Sequence, residues 1–462
     1  MDEIWGPTGP PPPFENTAAK PKPAPGDQDD YTEDALALAF SANFEHQLVH
    51  DHTNGKWFIW NGCRWVSDER AKTLDMCREF VRAIRRNGPI GMGKIAYIGA
   101  VLRAAGADPR MAVSQEVWDT NPMLLGVPGG VIYLATQTAR IPQPSDFIGR
   151  QTLVAPAPIG APAPLWFDFL NQLTNGDQAM QAFLQRLAGY LLTGDITEEV
   201  LTFFYGTGGN GKGVFLGALT AILHEYAVSV PIDVFTARSK VNLEYYRAVM
   251  SGARMVVASE TEQGATWAES QIKEMTGNEA PLSARHPHGR PFTYIPQFKI
   301  VLVGNYAPKL RGRSPSMERR LRVVPCVNMP PKADPHLKDK LREEYPAILR
   351  WMLDGVALWQ RDRLGTADAI KAATGAYFEL QDAFSRWLEE RCILSDTLMI
   401  KPGLLHADFV AWAKANGEDP VSTNDFAEMI DRAAGVKRVK LHGVRMVRGI
   451  GLQVTNSGRD YD

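Results

Sequence analysis

The run LTFFYGTGGNGKGVFLGALTAIL, residues 201 to 223, contains Gly206, Thr207, Gly208, Gly209, Asn210, Gly211 and Lys212, the G-x-x-x-x-G-K spacing of a phosphate-binding loop. Glycines let successive backbone N–H groups turn inward onto phosphate oxygens. A helix N-terminus adds a favourable field, and a lysine pairs with the β and γ oxygens. Where such loops carry Ser or Thr after the lysine, this chain has Gly213 and then Val214, so the hydroxyl that ligates Mg²⁺ is missing. Magnesium sites retain several waters, so a water in that position and acids elsewhere restore the shell. The plain alternative is a glycine-rich strand-to-helix turn with a solvated lysine.

Three further groups complete a reaction site. The run RMVVASETE ends an apolar stretch in Glu260 and Glu262, carboxylates placed to hold a metal or polarise water. FKIVLVGN ends in Asn305, whose amide suits orientation of the attacking water, although Asn at a strand end also serves as a turn residue. In SMERRLRVVP, Arg319 and Arg320 precede a fourth apolar run, and one guanidinium reaching a neighbouring subunit's γ-phosphate would act as an arginine finger. Taken singly, a surface arginine pair is the plainer reading.

These groups need a scaffold that presents strand ends side by side. The runs at 200–205, 254–259, 298–304 and 321–325 are continuously apolar and alternate with helical patterns, as strands buried on both faces of a parallel α/β sheet do. After the loop, Val214, Phe215, Leu219, Ile222 and Leu223 recur at helical spacing. The chain has 462 residues, 45% hydrophobic and 22% charged, which predicts several domains in a soluble, cytoplasmic protein. A net charge of -2 gives no global reason for nucleic-acid binding, so that role must rest on local basic patches. Four scattered cysteines fit neither a zinc module nor a disulfide framework. No apolar run approaches the roughly 18 residues of a membrane span.

Composition sets the expected boundaries. Residues 1–33 are Pro-rich and polar, a disordered tail. Residues 34–154 form an α+β domain with Asn61-Gly62 as a two-residue hairpin turn between aromatic runs and a helix over 73–86. His50-Asp51-His52 reads as a loop before that hairpin. APAPIGAPAPL, 155–165, is a semi-rigid linker. Two short helices, 403–417 and 422–435, precede a hairpin about His442-Gly443. Lys437, Arg438, Lys440, Arg445 and Arg448 fall in 436–454 without an acid, as in the wing of a winged helix-turn-helix module, or as on an ordinary solvated hairpin.

The four motifs in this order, with GGNGKG, SETE, IKEMTGNEAPLSARHPHGRPFTYIPQFKIVLVGNYAPKL and RRL before a strand, resemble the superfamily 3 helicases, within them the phage/plasmid and poxvirus primase-helicase group. WDTNPMLLGVPGGVIYL, 118–134, extends the likeness. The resemblance implies a P-loop AAA+-type ATPase domain over 166–365 and a winged-helix-like DNA-binding domain over 366–462. It further implies ATP and Mg²⁺, and a homo-oligomeric ring, usually a hexamer, moving 3′ to 5′ on single-stranded and forked DNA. Lys212 would take the phosphate-loop lysine, Glu260 the acidic metal-binding position and Asn305 the sensor. Arg320, slightly preferred to Arg319, would take the finger. Between the acidic and sensor strands the family carries a pore hairpin, which maps onto Lys273 and then Arg285, His286, His288 and Arg290 around a Pro/Gly turn. The stretch before 155 offers no spaced acids with His for polymerase chemistry, so a separate primase is the expected partner. The expected function is an ATP-dependent replicative helicase of a phage, prophage or plasmid. The rival is a non-translocating origin-binding or loading factor that uses ATP as an assembly switch.

Overall fold

The computed structural model describes residues 31–453 except 86–89, 207, 238–240, 260–265, 278–279, 288, 306–307, 309, 311–314, 330–333, 382, 419–420, 433–435 and 442–443. The expected tail lies outside the described residues up to residue 30. Its last residues already begin the fold, since the Thr32 hydroxyl accepts the Ala35 N–H at 3.3 Å and caps the helix Glu33–Phe44.

The N-terminal part is mixed α and β. β1 (Leu48–Asp51), β2 (Lys56–Trp60), β3 (Trp65–Ser67) and β4 (Ala112–Val113) form a sheet in the order β3-β2-β1-β4. Helices Glu33–Phe44, Lys72–Ile84 and Ile95–Gly106 pack on it through Phe40, Phe80, Ile98 and Val101. β5 (Leu124–Val127), β6 (Gly130–Tyr133) and β7 (Thr138–Arg140) make a second antiparallel sheet.

Two expectations need correction here. The Asn61-Gly62 turn is not a two-residue loop, because Trp60 pairs with Trp65 and four residues intervene. The Asn61 carboxamide oxygen accepts the N–H groups of Cys63 at 2.9 Å and Arg64 at 2.8 Å, which stabilises the wider turn. His50 and Asp51 lie not in a loop but in β1, paired with Trp57 and Lys56. Asp51 accepts from Thr53 N, Asn54 N and Trp118 Nε1, and among the described residues no His, Cys, Asp or Glu group is arranged to hold a metal.

Central to the chain are β8 (Leu201–Tyr205), β9 (Ala227–Ser229), β10 (Met255–Ser259), β11 (Leu282–Arg285), β12 (Pro291–Tyr294), β13 (Lys299–Gly304) and β14 (Leu321–Pro325). Five of them form a parallel sheet ordered β14-β8-β13-β10-β9, and β11 and β12 stand apart as an antiparallel hairpin. Both sheet faces are covered, which is why these strands read as unbroken apolar runs. Phe204, Val301 and Val324 meet the helices Pro164–Thr174, Gln178–Leu192, Lys212–Leu223 and Tyr345–Asp362. Leu201, Phe203, Ile300, Leu302 and Val323 face the opposite core with Phe235 and Trp267. Each such buried side chain contributes about 1.5–3 kcal/mol relative to exposure.

The N-terminal part docks beneath this sheet, at the ends where the strands begin. Arg254, just before β10, donates to Leu192 O and, at 2.6 Å, to Leu124 O, and its guanidinium lies 4.5 Å over the Tyr226 ring. Tyr226, just before β9, donates to Arg150 O at 2.9 Å and accepts the Gly126 N–H at 3.0 Å. Burial pushes the Tyr226 phenol up to about 12. Within and beside the Pro/Ala stretch 155–165, expected as a semi-rigid linker, the backbone is tied to the central part. Leu153 N donates to Ile222 O and Ala157 N to Pro346 O, both at 2.9 Å. The opposite, carboxyl edge of the sheet is left open for the loops.

The C-terminal part has its own core around Trp387, Phe409, Phe426, Ile430 and Val447. Helix Ala383–Arg391 leads into β15 (Cys392–Ile400), followed by helices Pro402–Ala415 and Thr423–Arg432 and then β16 (Lys437–Leu441) and β17 (Val444–Leu452). The three strands pair antiparallel in the order β15-β17-β16. The turn expected at His442-Gly443 lies outside the described residues, but its flanks pair as a hairpin requires, Leu441 opposite Val444. Among the described residues no helix is long and apolar enough to cross a membrane.

Candidate nucleotide and nucleic-acid site

Three chain segments leave the carboxyl edge of the sheet side by side. Tyr205 at the end of β8 is in register with Gly304 of β13 and with Pro325 of β14, so Gly206, Asn305 and Cys326 emerge as neighbours. Ser259, ending β10, is in register with Val303. A crevice outside the carboxyl ends of parallel strands is where α/β sheets hold ligands.

The glycine loop is built by close approach. Gly206 has φ +154°, and a Cβ there would meet Cys326 O at 2.0 Å and Asn210 Nδ2 at 2.6 Å. At Gly211, with φ +83°, a Cβ would meet Phe169 Cε2 at 3.0 Å and Leu173 Cδ1 at 3.3 Å. Only glycine takes these positions without strain. At Gly208, Gly209 and Gly213 a Cβ would meet nothing within 4 Å, so that side of the loop is open. Thr207 lies outside the described residues. Such a cradle, closed behind by side chains and open in front, fits a polyphosphate, and the helix Lys212–Leu223 starts directly from it.

Lys212 is buried and donates from Nζ to Gly206 O at 2.5 Å and to Asn210 Oδ1 at 3.0 Å. Burial holds its ammonium below the ordinary lysine range, opposed by the nearby Cys326 sulfur. Asn210 in turn donates from Nδ2 to Cys326 O, which ties the loop to the end of β14. Asn210 belongs to the loop read from sequence. Its second attachment was not legible there, because Cys326 is 116 residues away. Val214 is half-buried and packs against the main core.

The expected acids, Glu260 and Glu262, lie outside the described residues, as does His288. Asn305 is exposed at the carboxyl edge, one residue beyond β13. The two arginines differ sharply. Arg320 is buried, with Nε on Thr276 Oγ1 at 3.1 Å and Nη2 on Glu199 Oε2 at 2.5 Å. Arg319 is exposed. The slight preference for Arg320 as a group acting on a neighbouring subunit is therefore corrected, since its guanidinium is already satisfied inside its own chain.

The hairpin β11–β12 is a two-stranded unit separate from the parallel sheet. Leu282 and Ala284 are fully buried, whereas Arg285 and Arg290 are exposed. Arg285 Nε donates to Gly289 O at 3.1 Å across the turn, and the His286 ring stacks on Phe292 with centroids 5.4 Å apart. Lys273 is not on this hairpin. It sits on the preceding helix Glu269–Thr276, 3.9 Å from Glu269. At the C-terminal hairpin, Lys437, Arg438, Lys440, Arg445 and Arg448 are all exposed. Lys437 stands opposite Arg448 and Lys440 opposite Arg445. Like charges facing across a strand pair are unfavourable unless an anion lies near them.

The fold and site define a mixed α/β protein with a parallel sheet of five strands and an N-terminal α+β part. Residues 37–175 match the family described as D5 N terminal like, and residues 204–320 match a family of unknown function. The chain is 26% identical over 266 residues to "Putative helicase 022R" of Frog virus 3 (isolate Goorha), covering 52% of this chain and 27% of that protein. It is 25% identical over 238 residues to "Putative helicase L207/L206" of Acanthamoeba polyphaga mimivirus, covering 50% of this chain and 25% of that protein. The chain thus spans about a quarter of the length of these curated relatives. Among solved structures, the apo form of the NrS-1 C terminal region shares the fold at 13% identity with a TM-score of 0.53, covering 92% of this chain and 100% of that one. The chain is thus similar over residues 37–175 to the D5 N terminal like family, and over about half of its length to viral proteins described as putative helicases.

Proposed function

We propose that this chain is an ATP-dependent replicative DNA helicase of a phage, prophage or plasmid, working as a ring of copies, hexameric in our reading, that moves 3′ to 5′ on single-stranded DNA. The observation that carries the reading is the juxtaposition at one sheet edge of the glycine loop with Lys212, the Asn305 amide and the end of β14, the strand that Arg319 shortly precedes. In this reading the domain limits are those the resemblance implies, with the ATPase at 166–365 and a winged-helix module at 366–462.

The loop amides from Gly206 to Gly213 and the Lys212 ammonium would bind the ATP phosphates, which requires Nζ to leave Gly206 O and Asn210 Oδ1. Bound Mg²⁺ supplies charge neutralisation on the β and γ oxygens. Glu260, and Glu262 beside it, would hold that ion and accept the proton from the attacking water. Asn305 would orient the water. Arg319 of one copy would reach the nucleotide of the next and stabilise charge in the transition state. The tip residues Arg285, His286, His288 and Arg290 would track DNA phosphates, and the basic C-terminal hairpin would add a second contact.

The test is ATP turnover of the purified chain with and without single-stranded DNA, beside Lys212→Ala. We expect turnover that rises with DNA and is lost in the variant. Nucleotide binding with turnover no faster than Lys212→Ala, with or without DNA, would overturn the motor and favour an ATP-controlled origin-binding or loading factor.

A further inference from the structure

A cleft of about 1190 Å³ separates the N-terminal part from the β11–β12 hairpin, on the far side of the sheet from the glycine loop. It exceeds the roughly 300–1,000 Å³ that holds a drug-sized ligand, which suits a stretch of polymer better than a small molecule. Its two walls come from different parts of the chain, and each carries an aromatic pair.

On one wall Phe58 of β2 packs against Trp118 with ring centroids 4.5 Å apart. The indole is locked, because Nε1 donates to the buried Asp51 carboxylate at 2.9 Å. On the other wall Phe292 of β12 stacks with His286 at an interplanar angle of 23°. All four rings are half-buried, so each pair leaves surface toward the cleft. Burial and the neighbouring Lys56 hold the His286 imidazole below its ordinary range, opposed by Asp51.

Charge on these walls is largely satisfied internally. Arg64 donates to Glu225 Oε2 at 2.7 Å, Arg150 donates to Glu225 O and Ser251 O, and burial raises the Asp119 carboxyl. Lys56 pairs with Glu69 at 3.2 Å and Glu116 is exposed on the lining, while the exposed Arg285 and Arg290 flank the hairpin's tip. A near-neutral, aromatic interior with cations outside it recognises the faces of bases and leaves phosphates toward the tip.

We infer that this cleft is a base-stacking track for single-stranded DNA, which carries the strand from the hairpin tip along the N-terminal part between Phe58–Trp118 and His286–Phe292. The inference rests on the DNA-translocating reading above. It adds a binding site formed by the N-terminal part, with specificity for single strands, since paired bases do not expose their faces.

The experiment uses the full chain and two labelled strands of equal length, an oligodeoxythymidine and its abasic counterpart, with affinity read by fluorescence anisotropy. Phe58→Ala and Phe292→Ala are each expected to weaken the thymidine strand by about 5-fold or more, the alanine effect of losing one stacked base. The abasic strand should bind them as it binds the wild type. Phe58→Trp and Phe292→Tyr should restore affinity, and turnover without DNA and the thermal midpoint should not move. Equal weakening of both strands, or of neither, would overturn the track while leaving the helicase reading intact. If the wild type bound neither strand, both readings would fall together.

Discussion

Arg320 and Glu199 form an ion pair, Nη2 to Oε2 at 2.5 Å, with side-chain exposures of 8% and 28%. The pair joins the start of β14 to the turn just before β8, and Thr276 completes it from a third element. Arg320 therefore fixes the register of two neighbouring strands. We expect Arg320→Ala to cost about 3 kcal/mol, the lower end for removing one partner of a buried pair. Arg319→Ala should leave the thermal midpoint unchanged and lower DNA-stimulated turnover by about 10³-fold, as loss of an arginine finger does. Thermal melting beside turnover separates the two. A stable, inactive Arg320→Ala would reverse the assignment.

The loop glycines predict a second contrast. A methyl group at Gly206 would meet the Cys326 carbonyl oxygen at 2.0 Å in a backbone conformation that L residues rarely adopt, whereas at Gly208 it meets nothing within 4 Å. Gly206→Ala should abolish nucleotide binding and cost about 1–3 kcal/mol of stability through overpacking. Gly208→Ala should keep both near wild type. Titration with a fluorescent ATP analogue reads the difference, and equal losses in the two variants would mean that the loop is not the phosphate cradle.

What the sequence made legible and what it hid divide along physical lines. The glycine loop between strand and helix, four of the five core strands and the Arg285–Arg290 turn rest on local signals, namely spacing, apolar runs and turn residues. β9, three residues of sequence AVS, carries too little pattern to register. The Asn61 turn misled because its side chain widens a loop that the Asn-Gly pair alone would make tight. Long-range pairings leave no local mark. Glu199 is 121 residues from Arg320, and nothing near either announces the other. The cleft was hidden for the same reason, since Phe58 and Phe292 each read as an ordinary strand aromatic.

Lys299, which begins β13, is buried where its ammonium donates to Thr193 O and lies 4.8 Å from the Tyr190 ring. Burial, helped by Arg254, holds it well below the ordinary lysine range. The unfolded chain keeps that proton to about pH 10.4, so between the folded value and about 10.4 the unfolded state binds more protons. Stability should therefore rise with pH in that window by up to about 1.4 kcal/mol per pH unit, and level off on either side. Lys299→Met should lack this rise. Urea unfolding of both proteins from neutral pH upward measures it, and parallel curves would show that Lys299 stays protonated in the fold.

Gly213 is the departure that most affects the proposed chemistry. It is the second residue of the helix Lys212–Leu223, its φ is not positive, and a Cβ there would meet nothing within 4 Å. The site thus has room for the hydroxyl that the sequence omits. Gly213→Ser should fold at least as well as the wild type, because glycine inside a helix costs up to about 1 kcal/mol relative to better helix formers. If water fills the missing ligand's place on Mg²⁺, the added hydroxyl should lower the Mg²⁺ concentration for half-maximal turnover, with the maximum rate little changed. Turnover titrated with Mg²⁺ at saturating ATP and DNA reads this directly. An unchanged midpoint would mean that the ion is held away from the loop, by the acids after β10 alone.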